Sequence, residues 1–137
     1  MKDLVLAKGE EYKLHVNRPN KRVSYSSTNF RVAGVNFNGR VYAYRTGKAY
    51  IIAKVSGKKL ICRVRVLDIN KTKLTLSVGK SYRIKIYGSA GFPSYKSSNP
   101  KVATINWRGK VKAKKPGKTT ITVKARGKYF TCTVIVR

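Results

Sequence analysis

Along much of the chain, apolar and polar residues alternate with a period of two. Tyr82, Ile84 and Ile86 alternate with Arg83 and Lys85; Val111 and Ala113 alternate with Lys110, Lys112 and Lys114; Cys132, Val134 and Val136 alternate with Thr133 and Ile135. Successive side chains of a strand point to opposite faces, so this period predicts half-buried antiparallel strands with one apolar face. Turn signals punctuate the alternation at Gly79-Lys80, Gly91-Phe92-Pro93, Arg108-Gly109, Pro116-Gly117 and Arg126-Gly127. No helical period of useful length competes.

The pattern occurs twice. At an offset of 70 residues, Leu4 to Val66 aligns without a gap onto Leu74 to Val136, and roughly one position in three is identical. The matches run from Leu4/Leu74 and Tyr12/Tyr82 through Asn36/Asn106 and Gly39/Gly109 to Cys62/Cys132. An ungapped match means that every loop has the same length in both copies. Six or seven short strands in about 65 residues, with turns at this spacing, predict a small β-sandwich. The expected fold is therefore all-β: two tandem β-sandwich domains, residues 1–68 and 69–137. Between Val66 and Leu74 the connector Leu67-Asp68-Ile69-Asn70-Lys71-Thr72-Lys73 holds neither Gly nor Pro. It is expected to be semi-rigid, with Leu67 and Ile69 packing between the domains.

A family resemblance becomes specific at these residues. The run Ser97-Ser98-Asn99-Pro100-Lys101-Val102-Ala103-Thr104-Ile105-Asn106, followed by Gly109-Lys110-Val111-Lys112-Ala113, Pro116-Gly117 and Thr119-Thr120-Ile121, resembles the group 2 bacterial immunoglobulin-like (BIG2) domain. The first copy keeps the frame in Ser27-Thr28-Asn29, Val32-Ala33, Gly39-Arg40-Val41-Tyr42-Ala43, Gly47 and Ile51. Tyr25 and Tyr95 stand where that family commonly has Trp, and Phe30 replaces its proline. The resemblance implies an immunoglobulin-like sandwich of the kind found in bacterial surface proteins, adhesins and phage structural proteins, used for display, spacing and binding. It implies no catalytic residues.

Charge then narrows the function. The 137 residues hold 32 Lys+Arg against 4 Asp+Glu, a net charge of +28, while 42% of residues are hydrophobic. That apolar share is too high for a disordered basic tail, so the charge must ride on a folded surface under strong self-repulsion. All four acids lie in residues 1–70, beside 15 Lys+Arg, whereas residues 71–137 hold 17 Lys+Arg and no acid. General acid–base chemistry would have to draw on Asp3, Glu10, Glu11, Asp68 and His15 alone. These scattered groups predict no enzyme, no metal site and no cofactor. Cys62 and Cys132, at equivalent inward positions on the last strand of each repeat, are expected to be free, buried thiols. His15 is expected to be an ordinary outward-facing strand residue, and Asn70-Lys71-Thr72 is a glycosylation sequon of the kind that often occurs by chance.

The candidate site follows from the fold. In an immunoglobulin-like sandwich the second and fifth strands are neighbours. Outward Arg83 and Lys85 should then lie beside Lys110, Lys112 and Lys114, and in the first copy Lys13 and His15 beside Arg40, Tyr42 and Tyr44. These residues are the expected contact surface for an acidic partner. No export signal is visible after Met1, and two display-type domains make up the whole chain. The expectation is an accessory or decoration protein of a phage virion, made in the host cytoplasm, many copies of which dock onto an acidic capsid or other protein lattice. The alternative is a bacterial cell-surface or secreted adhesin module that binds anionic wall polymer or host glycan. Nucleic acid is the third candidate, weakened by the dispersal of the basic residues over both domains and by the lack of a recognition motif. Membrane insertion is not expected. The acid-free second domain is the expected docking domain.

Overall fold

The computed structural model describes residues 2–15, 22–88 and 91–137. The chain divides into two compact units, Met1–Asp68 (domain 1) and Ile69–Arg137 (domain 2). Domain 1 contains β1 (Lys2–Ala7), β2 (Glu11–Lys13), β3 (Val23–Ser27), β4 (Ala33–Val35), β5 (Arg40–Ala43), β6 (Gly47–Val55) and β7 (Lys58–Ile69), the last ending one residue past the boundary. Domain 2 contains β8 (Lys73–Leu76), β9 (Ser81–Arg83), β10 (Ile86–Tyr87), β11 (Ser94–Ser97), β12 (Ala103–Ile105), β13 (Lys110–Ala113), β14 (Gly117–Ala125) and β15 (Lys128–Val136). The described residues contain no helix, and so none long and apolar enough to cross a membrane.

Each domain has two sheets of the same connectivity. In domain 1 one sheet runs β1-β7-β6-β3 and the other β2-β5-β4; in domain 2 the orders are β8-β15-β14-β11 and β9-β13-β12. The first strand lies parallel to the last in both domains, with Leu4 opposite Val64 and Leu74 opposite Val134, and the other pairs in these orders are antiparallel. This is the all-β sandwich that the alternation predicts, with the immunoglobulin-like arrangement that the family resemblance implies.

The alternation is what fills the core. On β7, Cys62, Val64 and Val66 face inward while Arg63 and Arg65 face away; on β13, Val111 and Ala113 are buried between exposed Lys110, Lys112 and Lys114. Side chains from both sheets of domain 1 meet in one cluster, with Leu4, Leu6, Ile51 and Val64 from the first sheet against Ala33, Val41 and Ala43 from the second. Domain 2 repeats this with Leu74, Ile121 and Val134 buried on one side and Ala103, Val111 and Ala113 on the other. One pair of positions trades volume: Ala53 and Val55 in domain 1 become Val123 and Ala125 in domain 2, all buried. Such a swap conserves the total space filled, which is the change a packed core tolerates best.

Cys62 and Cys132 are free and buried, as their inward register requires. Burial raises the pKa of both thiols, so neither is poised as a nucleophile. Leu67 is fully buried and pairs with Ala7 on β1, while the Asn70 side chain donates to the Arg83 carbonyl at 3.1 Å and accepts from the Lys85 N–H at 2.9 Å. The sequon asparagine is thus engaged inside domain 2.

Candidate binding surface

The expected neighbours are neighbours. In domain 2, β9 and β13 pair with Arg83 directly opposite Lys110, Tyr82 opposite Val111 and Ser81 opposite Lys112. Tyr82 and Val111 face the interior, so Ser81, Arg83, Lys110 and Lys112 share the solvent face and are all exposed. Lys114 follows β13 with its N–H bonded to the Val102 carbonyl at 2.8 Å, and is also exposed. Like charges placed directly opposite across an antiparallel pair repel. Here Arg83 and Lys110 do so in a domain without a side-chain carboxylate from residue 69 to 137.

Lys85 requires a correction. The alternation through Tyr82, Ile84 and Ile86 suggests one strand that would carry Lys85 alongside β13. Instead β9 stops at Arg83, the Ile84 N–H makes the last bond to β13's turn at the Gly109 carbonyl, and the Lys85 backbone turns to Asn70. Beyond Gly109 the partner chain has already turned away, so Lys85 does not continue the pairing with β13 and its carbonyl accepts from the Asn70 N–H at 3.0 Å instead. It is joined to the cationic face differently, by lining a cleft of about 400 Å³ with Arg83 and Arg108.

Arg108 is the residue that sequence reasoning left out, because Arg108-Gly109 reads only as a turn. That turn is rigid: the Asn106 side-chain oxygen accepts from the Arg108 and Lys110 N–H groups, both at 2.9 Å. The Arg108 carbonyl accepts from Arg83 Nε at 3.3 Å, and its guanidinium lies over the Trp107 ring, 4.7 Å from the centroid. Arg83, Arg108 and Lys110 also line a second open cleft of about 520 Å³ with Ser81 and Asn106. The cationic face therefore extends around the turn beyond the lysines of β13.

Domain 1 uses the same frame with different contents. Lys13 lies opposite Arg40, Tyr12 opposite Val41 and Glu11 opposite Tyr42. Glu11 bonds Arg40 at 3.3 Å, so one of the cations on this face already has a counter-ion. Tyr42 and Tyr44 lie with rings parallel to within 10° and centroids 6.2 Å apart. His15, two residues past β2, is exposed; its neighbour Val16 lies outside the described residues. On the other sheet Asp3 bonds Arg63 at 2.6 Å and approaches Arg65 at 3.6 Å, and the Asp3 hydrogen bond pushes the Arg63 pKa further up. The positions of Glu11 and Asp3 are filled in domain 2 by Ser81 and Lys73.

Among the described residues no three His, Cys, Asp or Glu side chains gather as a metal site requires. The fold and this surface define a protein of two tandem immunoglobulin-like sandwiches carrying a cationic sheet face. Residues 63–134, just over half of the sequence, match the bacterial Ig-like domain (group 2) family, and the chain belongs to that family. No curated protein matches it. Among solved structures, it is similar to a 282-residue C-terminal fragment of intimin in complex with the intimin-binding domain of the translocated intimin receptor: TM-score 0.50, 21% identity, covering 91% of this chain and 56% of that one. It is also similar to the S-layer protein rSbsC(31-844), with TM-score 0.46 and 22% identity over 85% of this chain and 20% of that one. A third match, to human protocadherin-24 EC1-2, has TM-score 0.37 and 16% identity over 100% of this chain and 95% of that one. The chain thus spans about a fifth of the S-layer protein's length. At these identities the likeness concerns the fold.

Proposed function

We propose that this is a non-enzymatic docking protein that lays the β9–β13 face of domain 2 on an acidic surface. The observation that carries the proposal is the unrelieved cross-strand pair Arg83–Lys110, flanked by Lys112, Lys114 and Arg108 in a domain without side-chain carboxylates. Exposed cations on a fixed sheet gain little from one another and much from an external array of anions, which also steers the encounter. Domain 1, with Glu11 and Asp3 neutralising part of its charge, is the displayed domain.

In its particular form the proposal is an accessory protein on a virion, with an acidic capsid lattice supplying the counter-charge to many copies. Co-sedimentation with purified virions of the phage, and separately with walls of the bacterium, whose genome carries the sequence is the test. The expected result is association with virions at low salt and release at high salt, abolished by Lys110→Glu, Lys112→Glu and Lys114→Glu together. Association with walls alone would give the protein the anionic-polymer role instead. Association unaffected by salt and by the triple reversal would remove the electrostatic reading altogether.

A further inference from the structure

Superposing the two repeats isolates a second site. At four positions clustered in domain 1, the residues differ in kind from their counterparts 70 residues later: Phe30 against Pro100, Gly34 against Thr104, Tyr42 against Lys112 and Tyr44 against Lys114. All four line one shallow cleft of about 330 Å³, completed by Ser26, Ser27, Val35 and Asn36. In a chain of net charge +28, no lining residue is charged. Arg40, at the start of the same strand, is held by Glu11.

The cleft is built. A side-chain carbon added at Gly34 would lie 2.9 Å from Tyr44 Cε2, so the ring occupies space that only a glycine leaves open. Tyr44 and Phe30 are 52% and 70% exposed, and the parallel Tyr42 and Tyr44 rings form an aromatic platform. Asn36 Nδ2 donates to the Tyr42 hydroxyl at 3.4 Å, while the Asn36 oxygen is spent on the Asn38 and Arg40 N–H groups. Asn36 is therefore fixed by its own turn, and because the Tyr42 hydroxyl accepts from it, the hydroxyl's own O–H remains available as a donor.

We infer that this cleft binds a neutral oligosaccharide. A pyranose ring offers C–H faces that stack on aromatic rings and hydroxyl edges that pair with Ser26, Asn36 and the tyrosine hydroxyls, which is the mixed lining the cleft presents. A nucleobase would stack equally well, but its phosphates need a cationic groove that this lining lacks. The site is independent of the acidic-surface docking assigned to domain 2.

The test is an NMR titration of the isotope-labelled full chain with cellotetraose and with chitotetraose. Saturable shifts are expected at Gly34, Asn36, Tyr42 and Tyr44 with at least one of the two, unchanged between low and high salt. Two variants import the residues of domain 2 into the same frame and so retain the fold: Tyr42→Lys with Tyr44→Lys, and Gly34→Thr. The first should weaken binding by about tenfold or more, and the second should weaken it by displacing the Tyr44 ring. Lys110→Glu, Lys112→Glu and Lys114→Glu together should leave it unchanged. The inference is overturned by the absence of saturable shifts with both sugars, or by equal binding to the tyrosine variant. It is also overturned by salt-sensitive shifts at the same residues with a thymidine oligonucleotide and none with the sugars, which would make the cleft a nucleic-acid site.

Discussion

Glu11 sits on β2 two residues from Lys13 and holds Arg40 at 3.3 Å; at the same place in domain 2 stands Ser81, and Arg83 and Lys110 lie opposite each other without a carboxylate in their domain. Two sheets of identical connectivity and register thus carry opposite electrostatic solutions. Domain 1 relieves part of its repulsion internally through Glu11 and Asp3, whereas domain 2 has no side-chain carboxylate with which to do so. Most of the shared columns of the repeat face the core or make the turns, and most of the columns that differ face outward, with buried exceptions at Leu14/Ile84, Ala49/Thr119, Ala53/Val123 and Val55/Ala125. Fold and surface are separable in this molecule, and the second copy is an internal control for the first.

That control can be broken in several ways. The largest effect should come where the copies agree: Ile51→Ala and Ile121→Ala, each at a position 1% or less exposed, should each cost their own domain about 2–5 kcal/mol in denaturant unfolding. A marked inequality between the two would show that the cores are not equivalent. Next comes a position identical in sequence but different in surroundings. At Gly109, φ +85°, an added Cβ would meet the Ile84 carbonyl oxygen at 2.5 Å, whereas at Gly39, also at φ +85°, the three nearest atoms belong to the hydroxyl end of the Tyr25 side chain rather than to backbone. Gly109→Ala should therefore lower stability by about 1–3 kcal/mol more than Gly39→Ala. Thermal melts of the two variants would measure the difference.

A smaller effect separates the hydroxyl networks. The Asn99 N–H donates to Thr119 Oγ1 at 2.9 Å, and Ser97 and Ser98 bond the same hydroxyl at 3.0 and 3.2 Å, whereas in domain 1 Ala49 stands at that place and Ser27 Oγ accepts from the Asn29 N–H at 3.2 Å. Thr119→Val should cost about 1 kcal/mol, because Ser97 can take over the role of Ser27. The smallest effect is expected for Asp3→Asn, which frees Arg63 and Arg65. Thermal melts should show a loss smaller than that of Thr119→Val, shrinking further with added salt.

Most of the fold is legible in the sequence because its cause is periodic: inward Val111 and Ala113 between outward lysines can only be a half-buried strand. The adjacency of β9 and β13, and hence the meeting of Arg83 with Lys110, also follows from the family frame. Lys85 does not, because the alternation continues through Ile86 while the pairing strand has already turned at Gly109. Arg108 was hidden by its role as a turn residue. Glu11 was visible as an acid, but its pairing with Arg40 joins residues 29 apart and depends on register. The neutral cleft escaped because Tyr42 and Tyr44 read as aromatics within a basic face; reading the repeat column by column, Tyr against Lys and Gly against Thr, contains the signal.

The proposed docking face for the acidic surface is β9–β13 of domain 2, not the equivalent β2–β5 face of domain 1. That assignment is tested most directly by neutralising each face in the full chain and measuring association with the virion or wall preparation across a range of salt. One variant carries Arg83→Gln, Lys110→Gln and Lys112→Gln, and the other carries the domain 1 equivalents Lys13→Gln and Arg40→Gln. The account predicts that the first loses most of the salt-sensitive association while the second keeps it. Equal losses, or a greater loss from the domain 1 variant, would contradict it.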